Sequence, residues 1–183
     1  MERRREKRHM KEYQAAMLLA YPRVGRIAEH LGQLIEAKAA ASYRGRERTE
    51  ECVEQILRYL RAKDCLLACG AAVDEVLEGL TREERYLLEY KYFRRQEKLA
   101  AEFGGFGLPC SERQYYRMQR RLERKAAELF MRAGYTEAWF LRLFADLPYM
   151  MRLLDSVRQG KKDMIDIRHR GSPIRRVKQG QSM

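Results

Sequence analysis

The chain has 183 residues, 45% apolar and 35% charged, with a formal net charge of +12. That length buries a core without disulfides or metals, and high charge together with ample apolar residues points to amphipathic helices rather than disorder. No apolar run approaches the ~20 residues that span a bilayer, and the charged start MERRREKRH lacks the apolar stretch of a signal peptide, so the expectation is a cytoplasmic protein with no membrane partner. The four cysteines, Cys52, Cys65, Cys69 and Cys110, contain no C-x-x-C pair and the histidines are scattered, which predicts reduced thiols and no metal or other cofactor.

In chain order, residues 2–20 predict a charged helix that acquires an apolar stripe at Tyr13, Met17, Leu18 and Tyr21. Pro22 breaks that pattern and suits the first turn of a second helix, with Val24, Ile27, Ala28, Leu31, Leu34 and Ile35 along one face to about Ala41. Thr49 is a candidate N-cap for a long helix running from Cys52 through Leu80, where Gly70 permits a bend. Two long amphipathic helices in succession predict an antiparallel hairpin.

Next, Thr81 and Glu84 have the spacing of a capping box, in which hydroxyl and carboxylate satisfy free backbone N–H groups. A first supporting helix, a short helix from Glu97 to Phe103, and the turn GGFGLP (104–109) follow. Ser111 with Gln114 forms a second capping box that opens a basic helix ending at Gly134. Thr136 caps a further helix, kinked at Pro148, whose apolar face is Trp139, Phe140, Leu143, Phe144 and Leu147. Residues beyond Gln159 read as a disordered basic tail. The expected fold is therefore all-α: a multi-helix bundle with an embedded helix-turn-helix and that tail. Residues 1–79 form a supporting or oligomerising hairpin, 80–134 the DNA-binding module, 135–157 a packing helix and 158–183 the tail.

Positive charge is concentrated in the two ends of the chain and in residues 111–135, where seven Lys/Arg face three acids. In the basic helix Tyr115, Met118, Leu122, Ala126 and Leu129 recur at steps of three and four and face a core. That leaves Glu112, Arg113, Gln114, Tyr116, Arg117, Arg120, Arg121 and Arg124 outward or on the flanks, a cationic surface rich in hydrogen-bond donors. A support helix, a short helix, a turn and a basic helix in this order are what a helix-turn-helix requires. No Gly-rich phosphate loop ending in Lys-Ser/Thr and no G-x-S-x-G is present, so the expectation is a non-enzymatic protein.

The segments LTREERYLLEYKYF, EKLAAEFG and SERQYYRMQRRLERKAAEL resemble, in turn, the opening, second and recognition helices of region 4 of bacterial sigma-70-type factors and of the sigma-like regulators of Gram-positive phages and mobile elements. The resemblance implies that Ser111 caps the recognition helix and that Glu112, Arg113, Tyr116 and Arg117 contact bases. Arg120, Arg121 and Arg124 are then placed for phosphates, and Ser111 and Gln114 of the first turn are candidate DNA contacts as well. It implies a transcriptional regulator that binds double-stranded DNA, and it admits RNA polymerase and a second copy of the chain as further partners. Two alternatives carry the same basic face: a helical adaptor for an acidic protein, and a phage DNA-packaging recognition subunit.

Overall fold

A computed structural model describes residues 9–45, 49–104 and 111–160. The predicted start of the first helix at residues 2–8, most of the glycine turn, Cys110 and nearly all of the basic tail lie outside these residues. Among the described residues there are seven α-helices and no strand: α1 (Glu12–Tyr43), α2 (Thr49–Glu78), α3 (Arg82–Leu88), α4 (Gln96–Phe103), α5 (Glu112–Arg132), α6 (Glu137–Phe144) and α7 (Pro148–Arg158). The chain is thus an all-α, multi-helix fold. No described helix is long and apolar enough to cross a membrane.

α1 and α2 form the antiparallel hairpin. α1 is one continuous helix, not two meeting at Pro22 as the sequence suggested. Proline removes one backbone donor and normally kinks a helix at a cost of about 3 kcal/mol. Here the residues on both sides of it, Met17, Leu18 and Ala20 before and Val24 and Ala28 after, are buried in one core, and that packing outweighs the local preference. α2 likewise runs through Gly70 without a break, with Gly70 lying beside Val24 of α1.

Only half of the hairpin is in the body of the molecule. Past Ala28, α1 has no buried residue, and Cys52, whose Sγ donates to the Lys38 carbonyl at 3.2 Å, is the sole buried residue of α2 before Leu66. The rest of the hairpin is a two-helix arm. The body is a single hydrophobic cluster that draws on every helix, from Tyr13, Met17 and Leu18 through Leu66 and Val73 to Leu122, Phe130, Phe140, Phe144, Met150 and Leu154.

The C-terminal segment also differs from expectation. Instead of one kinked helix, α6 stops at Phe144, and Pro148 occupies the first turn of a separate α7, where its missing N–H costs nothing. The break lets α7 turn back and pack along α1. Phe140 and Phe144 are fully buried, while Trp139 lies at the rim with its ring against Tyr135 and Phe144.

Phe130 anchors the C-terminal half of α5 and is completely buried. Phe130→Ala is expected to lower the unfolding free energy by about 3–5 kcal/mol, read from the midpoint of urea denaturation at unchanged slope.

A candidate nucleic-acid interface on the basic helix

Three elements position the site. α3 starts at the predicted capping box: the Thr81 hydroxyl accepts from the Glu84 N–H, and the Glu84 carboxylate accepts from the Thr81 N–H at 2.9 Å. The helix then widens into one π-helical turn, Glu89–Phe93, that ends at Arg94 in the left-handed conformation, φ 54°. This turn directs the chain into α4 within two residues. Buried Glu89 fixes the junction by accepting from Arg95 and pairing with Lys98. The Arg95 guanidinium also stands 5.1 Å from the Phe93 ring centre and 5.5 Å from that of Tyr21 on α1. Tyr86 of α3, Leu99 and Phe103 of α4 and Tyr115 of α5 are buried in the common cluster, with the Tyr86 and Phe103 rings edge to face at 5.2 Å.

α5 begins at the second predicted capping box. The Ser111 hydroxyl accepts from the Gln114 N–H, and Gln114 Oε1 accepts from the Ser111 N–H at 2.8 Å and the Ser111 hydroxyl at 3.0 Å. Ser111 and Gln114, both candidate contacts from the sequence, thus bond to each other and hold the first turn, and both remain exposed. Tyr115, Gln119, Leu122, Ala126, Ala127 and Phe130 form the buried side. Met118 and Leu129, expected in the core, lie half-buried at its margin. Gln119 reaches the core because its amide donates to the Tyr115 hydroxyl at 2.5 Å.

Two charged residues of α5 are held by the scaffold. Glu123 accepts from Lys91 and Tyr92 of the π-helical turn, and Lys125 donates to Glu84 of α3. The Tyr92 hydroxyl is pushed well above its ordinary range by burial and then by Glu123. Burial alone would raise the Glu84 carboxyl, but Lys125 and the Thr81 N–H outweigh it and hold it below the ordinary carboxylate value. Sequence analysis missed these clamps. Nothing in the linear pattern links residues 41 positions apart, as in Glu84 and Lys125.

The opposite side of α5 is open. Glu112, Arg113, Gln114, Tyr116, Arg117, Arg120, Arg121 and Arg124 are all exposed. Arg113, Arg117, Arg120 and Arg124 follow one another at steps of four, three and four, which places them on a single stripe about 16 Å long. None of the four makes an ion pair with a described acid; Arg124 Nε donates to the Arg120 carbonyl at 3.4 Å. Glu112, Arg113, Tyr116, Arg117 and Arg120 together line a shallow open depression. Arg121 and Gln114 stand to one side of it. Tyr116 is half exposed, its ring edge to face with Tyr115 at 5.7 Å. Such a surface can donate several hydrogen bonds at once to a polyanion and offer one ring for apolar contact.

Comparison with models of known protein families, with curated proteins and with solved structures matches none of them.

Two outcomes test the scaffold of this surface. Ser111→Ala is expected to cost about 1 kcal/mol and to speed hydrogen exchange of the first-turn amides that precede Arg117, with the C-terminal half of α5 unaffected. Because the folded-state value of Glu84 lies below its unfolded one, its carboxylate stabilises the fold above about pH 4.5 and loses that contribution as acid protonates it. The stability difference between the wild type and Glu84→Gln should accordingly shrink as pH falls through the carboxylate range, measured by denaturation at stepped pH.

Proposed function

We propose that the chain is a non-enzymatic, sequence-specific DNA-binding transcriptional regulator that reads double-stranded DNA with α5, in the manner of the sigma region 4-like helix-turn-helix proteins its sequence resembles. The observation that carries this reading is the exposed, unclamped stripe of Arg113, Arg117, Arg120 and Arg124 on a helix whose other side is fastened in the core. A helix of this kind fits the major groove, which is about 12 Å wide and admits one α-helix. The cap at Ser111 puts Glu112 and Arg113 at the leading end, where recognition helices meet base edges.

The roles divide along the stripe. Arg113 and Arg117, near the N-terminus of α5, are the guanine readers, since a guanidinium pairs with two acceptors on the guanine edge. Glu112 accepts from cytosine, and Tyr116 supplies an apolar contact. Arg120, Arg121 and Arg124, farther along the helix, hold phosphates and set the register. Binding then follows salt concentration through counterion release.

With a site recovered by selection from random duplexes, Arg113→Ala is expected to lose about 1–3 kcal/mol on that site and little on random sequence. Arg124→Ala should weaken both alike and flatten the salt dependence. Equal losses on selected and random duplexes after Arg113→Ala would contradict base reading. Unchanged duplex affinity after both Arg113→Ala and Arg117→Ala would point instead to an acidic protein as the partner of this face.

A further inference from the structure

The arm formed by the distal half of the hairpin carries an apolar face left exposed among the described residues. On α2, Val53, Leu57, Leu60 and Leu67 are exposed by 48, 60, 39 and 48%, although they are large aliphatic residues. Their steps of four, three and seven, with Asp64 in the gap, are those of a coiled-coil seam sustained over two heptads. This is not the face that meets α1: that contact is made by Cys52, Leu66, Cys69 and Val73. Large aliphatic side chains spaced in this way expect a helix as their partner, because each knob needs a hole made by four residues of a facing helix.

We infer that this face of α2 pairs with the same face of a second copy, with the two helices antiparallel, and that the protein is a homodimer joined through its arms. The order of charges along α2 selects both the occupant and the orientation. Glu50, Glu51 and Glu54 precede Arg58, Arg61 and Lys63, so the helix is acidic and then basic across the length of the stripe. An antiparallel second copy aligns the acidic part of each helix with the basic part of the other. Setting Leu57 against the second copy's Leu60, and Leu60 against its Leu57, brings Arg61 opposite the second copy's Glu54, twice by symmetry. In a parallel pair Asp64 would face Asp64 within the seam, which is repulsive. In the antiparallel pair Asp64 lies beside the second copy's Val53, away from the second copy's Asp64, and Leu67 lies beyond it, beside the second copy's Glu50. Glu54 already meets Arg58 at 2.8 Å, but both side chains are more than 70% exposed, and such a surface pair holds little energy that dimerisation would have to replace.

The arrangement places the two bodies at opposite ends of the paired arms. From the centre of the seam to Glu78 is about 20 residues, or roughly 30 Å of helix in each direction. The two basic helices therefore stand well apart, and each remains accessible. The assignment does not depend on what α5 binds, since it concerns the arm alone.

The test is the solution mass of the full chain by analytical ultracentrifugation at micromolar concentration. The wild type is expected at twice the 21.8 kDa of one chain. Leu57→Glu and Leu60→Glu, both exposed in the single chain, are expected to run at the single-chain mass with unchanged helical circular dichroism. Glu54→Arg should weaken the dimer at least tenfold, and Glu54→Arg with Arg61→Glu should restore it, because only the antiparallel register couples these two positions. A monomeric wild type, a dimer that survives Leu57→Glu, or a charge swap without rescue overturns the assignment.

Discussion

The embedding of α5 is the constraint on which the structure depends. Leu122, Ala126, Ala127 and Phe130 hold the C-terminal half of the helix in the common core. Gln14 of α1, itself buried, donates to the Ala127 carbonyl at 3.3 Å and ties the helix to the hairpin. The N-terminal half is held on one side only, by Tyr115 and the buried Gln119. A helix is stiff over this distance, so fixing its second half fixes the direction in which the first half points. Arg113, at the leading end of the stripe, is presented by core packing that begins about two turns away at Leu122, while Arg120 and Arg124 lie beside the anchored turns. The module is not an independent appendage, since the cluster that holds α5 includes side chains from α1, α2, α6 and α7.

Electrostatics follows from that anchoring. The charges of α5 divide into those facing the scaffold, Glu123 and Lys125, which find partners on α3 and its π-helical turn, and those facing outward, which find none among the described acids. Paired charges at the base align α5 with α3. Unpaired arginines at the tip leave a field that a polyanion can neutralise. Pairing each arginine internally would quiet the surface. Two acids do lie within helical reach, Glu123 three residues after Arg120 and Glu128 four after Arg124, but Glu123 is turned to Lys91 and Tyr92 and neither pairs with an arginine of the stripe.

Much of this was legible in the sequence where short-range chemistry decides. Both capping boxes, Thr81 with Glu84 and Ser111 with Gln114, are present as the spacing predicts. The apolar periodicity of the basic helix correctly separated Tyr115, Leu122 and Ala126 from the arginines. The two prolines were read less well because their effect is set by tertiary packing. Pro22 sits inside α1, held by core on both sides, whereas Pro148 starts a new helix after Phe144 and Met150 each find the core from different directions. The π-helical turn and the Glu89–Arg95–Lys98 junction have no local signature.

If α5 reads DNA as proposed, its exposed arginines meet the duplex directly. The most direct measurement follows the side-chain Nε–Hε resonances of the arginines as a selected duplex is titrated into the full chain. Arg113, Arg117 and Arg120 are expected to shift from the first substoichiometric additions while Arg58, on the arm, does not. Saturating binding with those three resonances unmoved would contradict that reading.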